Sequence, residues 1–393
     1  MITIFKKKNN GILEILFVLY SILIYYTYGF ASVGDFLLLA MGLYVIFVYK
    51  TYLLYKPLFY FLIFILFHEI VLSFFLISIP NYFINKNIVT ILNILLIGCI
   101  AIALNAEKLY NAFMLIGVVC MIGLLYHFVQ IYFFRQNVHP IQFPFLPDLG
   151  SNSRYQEIGN RPVSFFPEPA SYVTFMMIPL FWNLYKKKIL WAVIITFSIL
   201  LSTSTTGFFL SAVLWSLFIL KKGFGKKYKI ILILGVTIII YVVFKISFFD
   251  AGINKIQNTN FIEDNIRITS GPYMYLKLPI KHKILGVNAA NLSDYVQTGI
   301  LSNINFRLFV SSRRVYVATF WLCLMKYGII GIILYLSMYI KLFKKLKPLR
   351  PYIIIIIITM FSQSIFIGGP WVMQMVFMLV FYKHYKYNSK IGF

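Results

Sequence analysis

Apolar residues in this chain come in long blocks, not at alternating or 3.6-residue spacing. A helix rises about 1.5 Å per residue, so about 20 apolar residues match the ~30 Å hydrocarbon core of a bilayer. Twelve windows are legible: 11–30, 32–49, 57–79, 88–104, 110–134, 168–185, 189–203, 206–220, 229–248, 328–340, 351–367 and 370–383. The eighth, tenth and twelfth are short, so a count of ten or eleven stays open. Helices are expected, because every backbone amide in lipid must be satisfied within its own segment. The expected fold class is an all-α polytopic integral membrane protein, one membrane domain over residues 1–393 with about twelve transmembrane helices. The first window is longer than a signal-peptide core of about 7–15 residues, so it reads as a retained span.

Two long segments interrupt the windows, residues 135–167 and 249–327. Neither is low-complexity or charge-repetitive, so neither reads as a disordered linker. The first carries Pro140, Pro144, Pro147 and Pro162 with aromatics between them, which suggests a packed irregular cap. The second holds the polar stretch Asn254–Arg267 and ends in an amphipathic stretch up to Gly328, expected to form an interfacial or re-entrant helix before the tenth span.

Composition supports the membrane reading. The chain is 61% hydrophobic and only 12% charged, against about 25% charged in ordinary soluble domains. The net charge of +25 does not call for nucleic acid, because the lysines lie between apolar windows rather than on one basic face. With the N-terminus inside, the inside connections hold 22 of the 36 basic residues and the short outside connections hold one, Lys86. This is the positive-inside bias. It makes both termini cytoplasmic, makes both long segments external, and leaves membrane lipids as partners. Cys99, Cys120 and Cys323 show no metal or disulfide spacing. A P-loop, a dinucleotide glycine motif and a metal-ligand cluster are absent from the sequence, so no cofactor or metal is expected.

Arginine is partitioned differently from lysine. Arg135, Arg154, Arg161, Arg267, Arg307, Arg313 and Arg314 fall outside, and only Arg350 falls inside. Orientation needs only positive charge, which lysine supplies. Arginine adds a planar fork that binds phosphate bidentately and keeps its charge. Arg154, Arg161, Arg267, Arg313 and Arg314 are therefore candidates for a diphosphate or anionic-sugar site. The competing reading pairs such arginines with lipid headgroups or with carboxylates such as Asp148, Glu157, Glu168 and Glu263.

Glu168 is the one acidic residue in the run Arg161–Ser171, and it sits between Pro167 and Pro169 where the loop enters the sixth window. Its carboxylate could take a proton from a sugar hydroxyl, or it could cap the helix or pair with Arg161. The stretch from Arg267 to Gly286 joins tyrosines to Lys277, Lys281, His282 and Lys283, a mixture suited to a carbohydrate–phosphate ligand. His282 could serve as a base, or be an exposed loop histidine. His68 and Glu69 lie in mid-window with no basic partner visible in the other windows. They read equally as functional residues and as a structural hydrogen-bonded pair. The polar turn 202–207 could reach substrate through hydroxyls, or simply join two helices.

Four motifs carry a family resemblance. "RPVSFFPEPASY", "STSTTG", "KILGVNAAN" and "FWLCLMKYGIIGIILYL" resemble segments of Wzy-type O-antigen and surface-polysaccharide polymerases and the related ligases. The layout is similar too, with about twelve spans and two long periplasmic loops. The resemblance covers about residues 130–385. It implies a metal-independent glycosyltransferase of the bacterial inner membrane. That enzyme moves a growing glycan from its polyprenyl diphosphate carrier to a sugar hydroxyl of a new lipid-linked repeat unit. It implies phosphate binding at Arg161 and Arg267, and leaves room for a chain-length regulator protein as a partner. An O-antigen ligase is the nearest rival. Ligases resemble a pattern with histidine nine residues ahead of Gly-x-x-Gly, and here Val317 and Ala318 precede Gly328 and Gly331. A lipid-linked oligosaccharide flippase should line its spans with charge and keep its loops short, the reverse of this chain.

Overall fold

The computed structural model describes residues 11–50, 52, 55–74, 81–147, 149, 160–220, 266–287, 317–365 and 367–388. Side chains of 71–87, 266–270 and 387–388 are not among them. The chain is mostly helical. The helices are α1 Ile12–Leu23, α2 Val33–Tyr49, α3 Lys56–Phe74, α4 Asn81–Ala103, α5 Ala106–Tyr132, α6 Pro169–Tyr185, α7 Ile189–Leu201, α8 Thr205–Ile219, α9 Ile266–Lys277, α10 Ile280–Leu285, α11 Thr319–Lys345, α12 Arg350–Ser362 and α13 Gly369–Asn388. A two-residue antiparallel pair, Thr27–Tyr28 with Ala31–Ser32, is the only sheet among the described residues.

Helices occupy eleven of the twelve apolar windows; the window 229–248 lies outside the described residues. Two helices, α5 and α11, are each 27 residues long and apolar enough to cross a membrane. Large apolar side chains stand on outward faces of the other helices, among them Phe47, Phe67, Leu190 and Leu220, the last 76% exposed. The stretch before the tenth window is helical, as expected: α11 is two helices joined across a kink at Gly328, whose backbone leaves the helical region at φ 64. Glycine has no Cβ to oppose that conformation.

The chain divides into two compact units. The central unit, residues 6–34 and 104–261, holds α1 and α5–α8. Its centre is α6, with fourteen of seventeen residues buried, because α5, α7 and α8 all pack on it. Buried polar groups here are satisfied in pairs: Tyr110 donates to Asn183 at 2.9 Å, Tyr172 to Ser198 at 2.9 Å, and the Trp215 indole to Thr196 at 2.8 Å. The first turn of α5 is capped by Asn105, whose side chain accepts from the Glu107 and Lys108 amides. Lys186 pairs with Glu107 and lies over the Tyr110 ring. Lysines therefore gather at the start of α5, about 40 Å of helix away from its last turn.

The carboxy-terminal unit, residues 35–103 and 262–393, holds α2–α4 and α9–α13. Here α11 packs on α3, α9, α10 and α12, and α13 packs on α4. Lys383 donates to the Ala101 and Ile102 carbonyls at 3.1 and 2.7 Å, filling acceptors left open at the end of α4. Lys341 lies over Tyr55, whose hydroxyl donates to the Met338 carbonyl at 2.6 Å.

Candidate functional site

In the central unit the described parts of the first long segment, residues 135–147, 149 and 160–167, are irregular. The Ile141 amide donates to the Ser164 carbonyl at 2.9 Å, tying its two limbs together. Phe143 stacks on Phe165, and the Tyr26 hydroxyl accepts from the Phe143 amide at 3.2 Å. Asn160 closes the base, donating to the Gln136 carbonyl at 2.7 Å while its side-chain oxygen accepts from the Val138 amide.

These contacts fix the run from Arg161 to Glu168. Arg161 is half-buried and faces Tyr132, the last residue of α5. Burial pushes its pKa down from the ordinary value, and the Tyr132 hydroxyl partly opposes that shift. Among the described residues no carboxylate pairs with it, Glu168 included. The Tyr132 hydroxyl lies beside Thr203, in the turn before α8. Ser204 caps α8 there by accepting from the Gly207 amide at 3.3 Å, and the turn joins α7 to α8. Two of the four recurring motifs thus meet at the end of α5.

Glu168 occupies the N-cap position of α6 with Pro169 next, as the proline pattern implies. Its side chain makes no cap bond; its backbone carbonyl accepts from the Ser171 and Tyr172 amides. The carboxylate lies beside Tyr25, whose hydroxyl is hydrogen-bonded to Ser171.

The other two motifs meet in the carboxy-terminal unit. Gly286, at φ 86, lies against the backbone of Lys326 and Tyr327, and a Cβ on Gly328 would come within 2.7 Å of the Gly286 amide. The Val287 amide donates to the Met325 carbonyl at 2.8 Å. The broken helix and the loop glycine interlock, with no room for a side chain at either position. His68 and Glu69 of α3 reach the same place. The His68 ring meets the Leu285 carbonyl at 2.6 Å. Glu69 is hydrogen-bonded to Tyr327 and lies beside Lys326. The expectation that His68 and Glu69 lack a basic partner is therefore corrected: Lys326 supplies one from α11.

The predicted site residues fall into three groups. Arg161 and Glu168 share one loop of the central unit without touching. Arg267 lies on α9 of the carboxy-terminal unit; His282 and Lys283 lie on α10, both half-buried. Burial and Lys281 lower the pKa of His282, opposed by a hydrogen bond to the Gly286 backbone. Arg154, Arg313 and Arg314 lie outside the described residues.

One residue escaped the sequence reading. His127 of α5 is fully buried, and its Nδ1 accepts from the Val163 and Ser164 amides at 3.4 and 3.2 Å. The rule that singled out His68, an ionisable residue inside an apolar window, applies equally to it. No family model matches the chain, and neither does any curated protein.

Proposed function

We propose that the chain is a glycosyltransferase of the bacterial inner membrane that polymerises lipid-linked oligosaccharide repeat units. It acts at the outer face, with twelve spans and both termini in the cytoplasm. The donor is a growing glycan on a polyprenyl diphosphate, and the acceptor is a sugar hydroxyl of a new repeat unit. The observation that carries this reading is the state of Arg161. It is a half-buried guanidinium, held by an ordered loop, that no carboxylate among the described residues neutralises. A partly desolvated fork of this kind suits a diphosphate. Charge develops on the departing diphosphate in the transition state, so a fixed cation there lowers the barrier.

Glu168 takes the role of base in this reading. A carboxylate fixed between two prolines, seven residues after Arg161, can receive the acceptor hydroxyl proton. Arg267, His282 and Lys283 form the second phosphate- and sugar-binding segment, with Arg154, Arg313 and Arg314 adding charge at the same face. The orientation draws support from the central unit, where the lysines stand at the end of α5 opposite the Arg161 loop.

A strain lacking the protein tests the assignment. Single lipid-linked repeat units should accumulate on the outer face of the membrane. Accumulation on the cytoplasmic face would instead mark a flippase. A full-length polymer that fails to reach its final lipid acceptor would mark a ligase.

A further inference from the structure

Each unit carries one buried histidine in an apolar helix, and each histidine holds backbone of a long segment. We propose that His127 and His68 are positioning residues that clip the two segments through opposite ring nitrogens. His127 sets the Arg161–Glu168 loop, and His68 sets α10 with its Gly286 turn. In assigning the loops a catalytic role the inference rests on the polymerase reading; the clips themselves do not.

At His127 the chemistry is that of an acceptor. Ser164 is fully buried and sits at φ 58, a left-handed turn that a serine adopts only under constraint. Its side chain lies against Gly123, where a Cβ would meet Ser164 Oγ at 2.6 Å. Gly123 and His127 are four residues apart on α5, so they share one face. That turn leaves the Val163 and Ser164 amides pointing inward, where buried donors must find an acceptor. Nδ1 accepts from both. It must therefore carry its lone pair, which puts the ring proton on Nε2. Arg161 lies two residues before this clip and Glu168 four residues after it.

At His68 the chemistry is that of a donor. The Leu285 carbonyl can only accept, so Nε2, 2.6 Å away, carries the proton. The bond closes the end of α10, directly before Gly286 enters the break in α11. His282 and Lys283 ride on that helix.

The two clips therefore demand opposite amide replacements. Asparagine places its oxygen near the position of Nδ1, and glutamine places its amide nitrogen near the position of Nε2. The full-length protein in nanodiscs is compared by hydrogen exchange over residues 161–168 and 280–287. His127→Asn should keep the 161–168 segment protected, while His127→Gln and His127→Leu should speed its exchange about tenfold or more, because two buried donors lose their acceptor. At His68 the order should invert: His68→Gln keeps residues 280–287 protected and His68→Asn does not. If asparagine and glutamine behave alike at both sites, or if both amides are equally unable to fold, the clips are wrong. If exchange shows the inverted orders while turnover on a lipid-linked repeat follows neither, the clips stand and the polymerase reading fails.

Discussion

At Arg161 two demands meet: the loop half-buries the guanidinium, yet the charge keeps no carboxylate partner among the described residues. Arg161→Ala should abolish polymer while the protein still reaches the membrane. Arg161→Lys should recover little of the rate, since an ammonium cannot make the bidentate contact; full activity in the lysine variant would mean that charge alone is needed. Glu168 calls for a different substitution. Glu168→Gln keeps size and hydrogen-bonding reach but removes the proton acceptor. Turnover per folded molecule should fall by about 10²–10⁴, the usual share of general-base catalysis. Turnover close to wild type would remove the base role. The absence of a side-chain cap bond at Glu168 means that lost helix capping would not account for a fall in rate.

At the scale of elements, α11 is the helix most dependent on one residue. Gly328 holds a positive φ and packs directly on the Ile284 carbonyl and the Gly286 amide. Gly328→Ala meets both obstacles. At φ 64 and ψ -168, a region open essentially to glycine, an alanine alone costs about 1–3 kcal/mol, and displacing Gly286 adds to that. The variant should lower the thermal stability of the purified protein and speed exchange of α10; unchanged exchange of α10 would count against the interlock. The helices themselves were legible because apolar blocks report length directly; the window 32–49 and α2 agree almost residue for residue. The break in α11 was visible as a glycine without its consequence, since its partner Gly286 lies 42 positions away. Glu69 and Lys326 are farther apart still, in elements that no local pattern links. His127 was passed over because its partners are backbone amides in a left-handed turn, and no side-chain pattern marks them. The helices α9 and α10 were read only as a basic, aromatic stretch, because short helices rich in Lys, Tyr and Pro lack a long apolar block.

Across the whole molecule, the proposed orientation rests on the basic-residue bias of 22 to 1 and turns both long segments outward. A cysteine placed at Ser153 or at Asn258 should react with an impermeant reagent in intact spheroplasts, and one at Lys187 should not. The inverse pattern would overturn the orientation. In the proposed reaction Arg161 and Arg267 both bind phosphate. Arg267→Ala and Arg161→Ala should then each abolish polymer, and combining them should add nothing further. The most direct measurement follows from that. The purified chain is reconstituted in liposomes with a single synthetic polyprenyl diphosphate-linked repeat unit and no nucleotide sugar. The account predicts a ladder of lipid-linked oligomers with release of polyprenyl diphosphate, and no ladder from Arg161→Ala at equal folded protein. Unchanged monomeric repeat with the wild-type chain, or a ladder that persists in Arg161→Ala, would contradict it.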